Sequence, residues 1–222
     1  MREIALDTET TGFDPSNGDR IVEIGCVELD NFMATGRVFH CYINPERDMP
    51  EGAFKVHGLS EEFLKKHKVM AAEMDKFLKF IGDSKLVIHN AEFDMKFINA
   101  ELIRMKRHPL PMSRSIDTVA MARKMFPGAQ ANLDALCRRF DIDNSARTKH
   151  GALLDAELLA EVYLELRGGR QTGFSLAAEG KGHKKTASKS VTRPPRAHSA
   201  TEAELKSHSE FLENIDEPIW KS

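Results

Sequence analysis

Asp7 and Glu9 stand one residue apart at the end of a short apolar run, Ile4-Ala5-Leu6. In a strand, residues two apart share a face. Both carboxylates therefore project side by side while Ile4, Leu6 and Thr8 face the other way. Adjacent anions repel each other and cost stability unless positive charge lies between them. A hard divalent cation held by oxygen ligands is the usual solution. Two more acids repeat the pattern. Asp94 shares a stripe with Phe97, Ile98, Leu102 and Met105 in Ala91 to Lys106, whose periodicity predicts an amphipathic helix. Asp155 shares another with Leu159, Val162 and Leu166, in a helix predicted from Ala152 to Arg167 and stopped by Gly168-Gly169. A carboxylate at the head of a core-facing stripe has little access to water and needs a partner. His150, on the loop entering the second helix, can stand near Asp155 without sharing its face.

Packing alone gives no reason to bury four acids; two divalent metals do. Such ions, about 3.5–4 Å apart, stabilise the attacking and leaving oxygens of a phosphoryl displacement. Oxygen ligands suit Mg or Mn and not zinc, and a histidine can take the proton from the attacking water.

The elements that must position these groups follow from the pattern. Arg2 to Thr8, Arg20 to Leu29 and Val38 to Ile43 read as strands joined by short polar links, which favours an antiparallel meander. Ser60 to Lys66 and Ala71 to Ile81 read as helices, Leu86 to Ile88 as a short buried strand and Ser115 to Asp117 as another. Asn90 is the expected N-cap of the Asp94 helix, and Asn132 that of a helix running to Phe140. A meander followed by alternating helix and strand predicts an α/β fold, a mixed sheet with helices on its faces.

Composition sets the bounds. The 222 residues are 41% hydrophobic and 30% charged with a net charge of -2, so there is no global basic field and any contact with nucleic acid must come from local sites or metals. Cys26, Cys41 and Cys137 lie far apart in apolar segments and read as buried, reduced thiols. With no signal-peptide core and no apolar stretch long enough to cross a bilayer, the expectation is a cytoplasmic protein with no membrane partner.

After residue 176 the character changes. Residues 177–200 carry Lys181, Lys184, Lys185, Lys189, Arg193 and Arg196 against one acid, Glu179, and read as a disordered basic linker. Residues 201–222 interleave Leu205, Phe211, Leu212, Ile215, Ile219 and Trp220 with six acids and two lysines, about -4 in all, and read as a tethered docking segment. The single Trp220 is costly to expose and suits an interface.

Asp7-Thr8-Glu9, His89 to Asp94 and His150-Gly151-Ala152-Leu153-Leu154-Asp155 are similar in order and spacing to the DEDD exonucleases, histidine variant. Within them the chain most resembles the epsilon proofreading subunits of bacterial DNA polymerase III. The resemblance runs from Ile4 to about Leu176 and takes in Met125-Phe126-Pro127-Gly128, Leu133 to Cys137 and Leu159 to Tyr163. It implies a ribonuclease-H-like fold with a mixed five-stranded sheet, over residues 1–170. It implies 3′-to-5′ removal of nucleoside monophosphates from a DNA 3′ end. By analogy Asp7 bridges two metals, Glu9 and Asp155 complete the nucleophile-side ion, Asp94 holds the other partly through water, and His150 is the general base. Asp7, Glu9 and Asp155 then also face the substrate.

Glu51 and His57 fall in the family stretch that contacts the terminal nucleotide, with Gly52 as one extra residue. Gln171, Phe174 and Leu176, within 171–176, fall where relatives carry a sliding-clamp peptide. Residues 201–222, with Trp220, fall where they hold the polymerase alpha subunit; a small theta-like accessory subunit is a further partner the resemblance allows. Two rival expectations are the same chemistry on RNA, distinguished by contacts to the 2′ hydroxyl, and a non-catalytic adaptor between polymerase and clamp.

Overall fold

A computed structural model of the chain describes residues 1–169 and 200–215. Gln171, Phe174, Leu176, Trp220 and the linker up to residue 199 lie outside the described residues. The chain divides into two units, residues 1–174 and 175–222.

The first unit is built on a five-stranded sheet in the order β3-β2-β1-β4-β5, with β1 Arg2–Thr10, β2 Ile21–Asp30, β3 Met33–Tyr42, β4 Lys85–Ile88 and β5 Ser115–Asp117. β1, β2 and β3 form the expected antiparallel meander, and β4 and β5 join it parallel to β1. The sheet is therefore mixed, as the alternation of elements predicts. Two strands are longer than expected. β1 continues through Glu9 and Thr10 because these still pair with β2, across a register shift, so the carboxylates lie within the strand. β3 starts at Met33 because its first half is an exposed edge, paired only with β2, and its polar residues give no alternation to read.

Helices cover both faces. Helix α1 spans Glu51–His57, α2 Glu61–Leu64, α3 Met70–Ile81, α4 Ala91–Arg104, α5 Thr118–Met125, α6 Leu133–Phe140 and α7 Ala152–Leu166. Ile4, Leu6, Ile24 and Cys26 of the sheet pack with Met74 and Phe77 of α3 and Met95, Phe97, Ile98 and Leu102 of α4. Ala5, Val27, Leu29 and Val87 pack on the other side with Leu136 of α6 and Leu159, Val162 and Tyr163 of α7. The alternation along β1 thus divides its side chains between two cores. Each fully buried Leu, Ile or Phe among them contributes about 1.5–3 kcal/mol of burial.

Cys26 and Cys137 are buried and Cys41 is half-buried; all three are free, and burial pushes the thiols up, Cys41 to about 12 and Cys137 to about 11. Among the described residues no helix is long and apolar enough to cross a membrane.

In the second unit α8 spans Glu202–Glu213. Thr201 and Glu204 form a reciprocal capping box at its start, and Leu205 and Phe211 are exposed on it.

Candidate active site

The sheet delivers the first pair of acids and two helices deliver the rest. Asp7 and Glu9 are on the β1 face that also carries Ala5 and Glu3, whose carboxylate accepts from Tyr163 of α7 at 3.1 Å. Helix α7 starts directly over this face. Gly25 of β2 pairs with Asp7 across the ladder, and a Cβ on Gly25 would run into the backbone of Ala152. The glycine lets the first turn of α7 sit against the strands, which places Asp155 beside Asp7 and Glu9. Donor atoms of Glu9, His150 and Asp155 all lie within 4.8 Å of one another.

Asp94 arrives from the opposite face, in the first turn of α4. It is buried, and Thr8, turned away from Asp7 and Glu9 as expected, donates its hydroxyl to Asp94 Oδ1 at 2.7 Å. Asn90 occupies the N-cap position but makes no side-chain cap, which corrects the expectation. Its backbone is left-handed, φ 71°, where an N-cap residue is ordinarily extended, and its own N–H donates to Asp117 Oδ1 at 3.2 Å. At Asn132 the expected cap is present, its Oδ1 accepting from Ala135 N at 2.8 Å.

Electrostatics divide the acids. Burial, with the charges of Asp94, Glu9 and Asp155, holds Asp7 well above the usual carboxylate range. Burial and Asp155 raise Glu9 to about 8, and burial raises Asp94 to about 7. Asp155 differs: burial pushes it up, but the adjacent His150 and the Arg147 guanidinium overcome this and hold it below its ordinary value. Arg147 is the residue the sequence reading missed. Its Nε reaches Asp155 Oδ1 at 2.5 Å, one terminal nitrogen reaches Asp155 Oδ2 at 2.7 Å and His150 Nδ1 at 2.8 Å, and the other reaches Asp134 Oδ1 at 2.8 Å. The signal was a cation eight residues before Asp155 in an aperiodic loop that also carries Lys149, and loops carry no pattern that says where a side chain points.

His150 stands 3.3 Å from Asp155 and is half-exposed. Its backbone N–H donates to Val56 O at 3.2 Å, which ties its loop to helix α1. Across the site His57 is buried, its Nδ1 accepting from Leu59 N at 3.0 Å, and its Nε2 has no hydrogen-bond partner among the described residues. Burial lowers its pKa. A cleft of about 630 Å³ collects these groups: Asp7, Glu9, Asp94, His57 and His150 line it with Phe13, Val56 and Phe93. Glu51 is not brought to it. Gly52, Ala53, Val56 and His57 share the helix face towards the cleft, whereas Glu51 is exposed and pairs with Lys55 at 2.6 Å, one turn on.

Three raised acids around one cleft leave a deficit of positive charge, and the acids offer carboxylate oxygens; both features fit hard divalent cations.

A family model described as Exonuclease matches residues 4–163. The DNA polymerase III subunit epsilon of Rickettsia felis is 53% identical over 227 residues, covering 97% of each chain. That of Escherichia coli K12 is 43% identical over 239 residues, covering 100% of this chain and 98% of the relative. Among solved structures, exonuclease X in complex with 5′ overhanging duplex DNA is similar with a TM-score of 0.56 at 23% identity, over 74% of this chain and 89% of that one. The nuclease domain of 3′hExo, a DEDDh family member bound to rAMP, is similar with a TM-score of 0.64 at 17% identity, over 75% and 91%. These two likenesses bear on the fold.

Proposed function

The chain belongs to the exonuclease family and, within it, to the epsilon subunits of bacterial DNA polymerase III, and from that premise we propose which of its residues carry the 3′-to-5′ proofreading hydrolysis. Asp7, Glu9, Asp94 and Asp155 hold two divalent cations, Mg or Mn. When bound, these ions polarise the phosphodiester and stabilise charge on the attacking and leaving oxygens. His150 takes the proton of the attacking water. His57, which lines the cleft, contacts the terminal nucleotide. Phe13, which is 85% exposed at the rim, offers an aromatic face on which a base can stack. The observation that carries this reading is the convergence of Glu9, His150 and Asp155 within 4.8 Å beside two further acids at one cleft.

The helix Glu202–Glu213 and residues to 222, with Trp220, are the proposed contact with the polymerase alpha subunit. Gln171, Phe174 and Leu176 are proposed to bind the sliding clamp, and a theta-like subunit is a further candidate partner. The exposed Leu205 and Phe211 support the tail contact, because an isolated amphipathic helix gains most of its stability by docking its apolar face.

The test is hydrolysis of two end-labelled single strands of one sequence, DNA and RNA, with Mg, with Mn and with chelator. Metal-dependent shortening of the DNA from its 3′ end is expected, weak on RNA. Preference for RNA would overturn the substrate assignment. No cleavage of either would favour the adaptor alternative.

A further inference from the structure

The arrangement around Arg147 has a consequence for how the site is loaded. Arg147 is 8% exposed and holds both oxygens of Asp155, the helix-borne acid of the Glu9, His150 and Asp155 group. The nitrogen that binds Asp155 Oδ2 also donates to His150 Nδ1. That ring nitrogen's lone pair is therefore engaged. Among the described residues no lysine or arginine is paired with Asp7, Glu9 or Asp94, so this guanidinium is the cation that enters the acid cluster. It also has a second anchor. Asp134, partly exposed on α6, accepts from the remaining terminal nitrogen of Arg147 and from Asn144 Nδ2 at 3.0 Å.

We propose that Arg147 is the counter-cation of the metal-free site and yields Asp155 when a divalent cation enters, so that metal loading and the freeing of His150 are one event. The inference rests on the assignment of the acid cluster as the metal site. A bidentate guanidinium leaves neither Asp155 oxygen available in its strongest direction, so metal and arginine compete for the same carboxylate. Breaking a buried ion pair is costly unless another charge takes over, and a divalent cation between Glu9 and Asp155 does so with twice the charge. Asp134 then keeps the released guanidinium beside the site. Without metal, the same residue limits the repulsion between neighbouring acids and keeps the His150 loop attached to α7. Arg147 is thus a positioning residue that acts through Asp155 and His150.

The two cations are coupled ligands of one site, and coupling is reciprocal: removing one strengthens the other. The full chain and its Arg147→Gln variant are titrated with Mn²⁺ alone by calorimetry, and melted in chelator and in saturating Mn²⁺. The variant is expected to bind Mn²⁺ more tightly, by about tenfold, an ordinary magnitude for coupling between sites. Its melting point falls in chelator and returns to near that of the parent when metal is saturating. Unchanged or weaker Mn²⁺ binding, or a loss of stability that metal does not restore, overturns the proposal and leaves Arg147 as a prop for its loop. Failure of the parent chain to bind Mn²⁺ overturns the metal site itself, a separate outcome. Should the variant not fold, the parent is followed by NMR: the Arg147 Nε proton is expected to be protected from exchange in chelator and to lose protection as Mg²⁺ is added. Protection that persists at saturating Mg²⁺ also overturns the proposal.

Discussion

Helices α4 and α7 do the same thing from opposite faces of the sheet, with different partners. Each delivers one acid from its first turn to the end of β1. Asp94 meets the hydroxyl of Thr8 and backbone N–H groups but, among the described residues, no cationic side chain, and burial raises it to about 7. Asp155 is as deeply buried by its accessible surface, 3% in both cases, yet it meets a guanidinium and an imidazole and is held below its ordinary value. Burial pushes both acids up, and at Asp155 the partners reverse its effect. The α7 side carries its compensating cation within the chain, and the α4 side has none among the described residues.

Removing either acid tests this division most severely. Asp94→Asn and Asp155→Asn should each lower hydrolysis by about 10³-fold or more, since each removes a charge that holds the metal. Their effects on stability in chelator should have opposite signs. Asn at 94 still accepts from Thr8 and removes a buried acid short of positive charge, so the melting point should rise. Asn at 155 strips Arg147 of its buried partner, a loss of about 3 kcal/mol for pairs of this kind, so the melting point should fall. Two shifts of the same sign would erase the contrast.

His150→Ala sharpens it on the α7 side alone. Loss of a general base should cost about 10²–10⁴-fold in kcat, while the rise in melting point on adding metal persists, because the four acids are intact. Near-parental rates would remove the proton-transfer role.

How far these positions were legible depends on periodicity. β1, β2, α4 and α7 were read from apolar spacing, because the helical stripes are long and the two central strands are apolar on both faces. The alternation in β1 also placed Thr8 opposite Asp7 and Glu9, and the stripes of α4 and α7 aimed Asp94 and Asp155 inward. Helix α1 escaped notice because seven residues, Glu51–His57, are too few to show a period; Glu51 was placed by the resemblance, and in the structure it pairs with Lys55. Asn90 was misread because a cap depends on backbone dihedrals that residue type only biases. Arg147 and Gly25 are tertiary facts: one guanidinium reaching α7 from a loop, and one missing Cβ where a helix end touches a strand.

A smaller effect is expected from pH. Unfolded, these carboxyls titrate near 4; folded without metal, Glu9 titrates at about 8, Asp94 at about 7 and Asp7 well above its ordinary value. Between roughly pH 4 and pH 8 the folded chain thus binds more protons than the unfolded one, and stability falls as pH rises through this window. Asp155, held low, contributes the reverse only in the more acidic range where its own carboxyl protonates. In chelator the melting point should drop by several degrees from about pH 5.5 to 8.5, at about 2–4 °C per kcal/mol for a chain of this size. Saturating metal should flatten the slope. A slope indifferent to metal would mean that the acids of the cleft are not its source.

The mildest probe is Thr8→Val, which alters the α4 side without touching a carboxylate. The shape is nearly conserved and one buried hydrogen bond is lost, about 1 kcal/mol. The hydroxyl donates to Asp94 and favours its charged form, so its removal should raise the acid further. Metal binding requires Asp94 ionised, and the pH midpoint for metal uptake should therefore move upward, with kcat at high pH and saturating metal little changed. The α7 side serves as the internal control, because Arg147 and His150 hold Asp155 independently of Thr8. A change in Mn²⁺ affinity that is uniform across pH would instead mean that Thr8 positions the strand and leaves the acidity of Asp94 untouched.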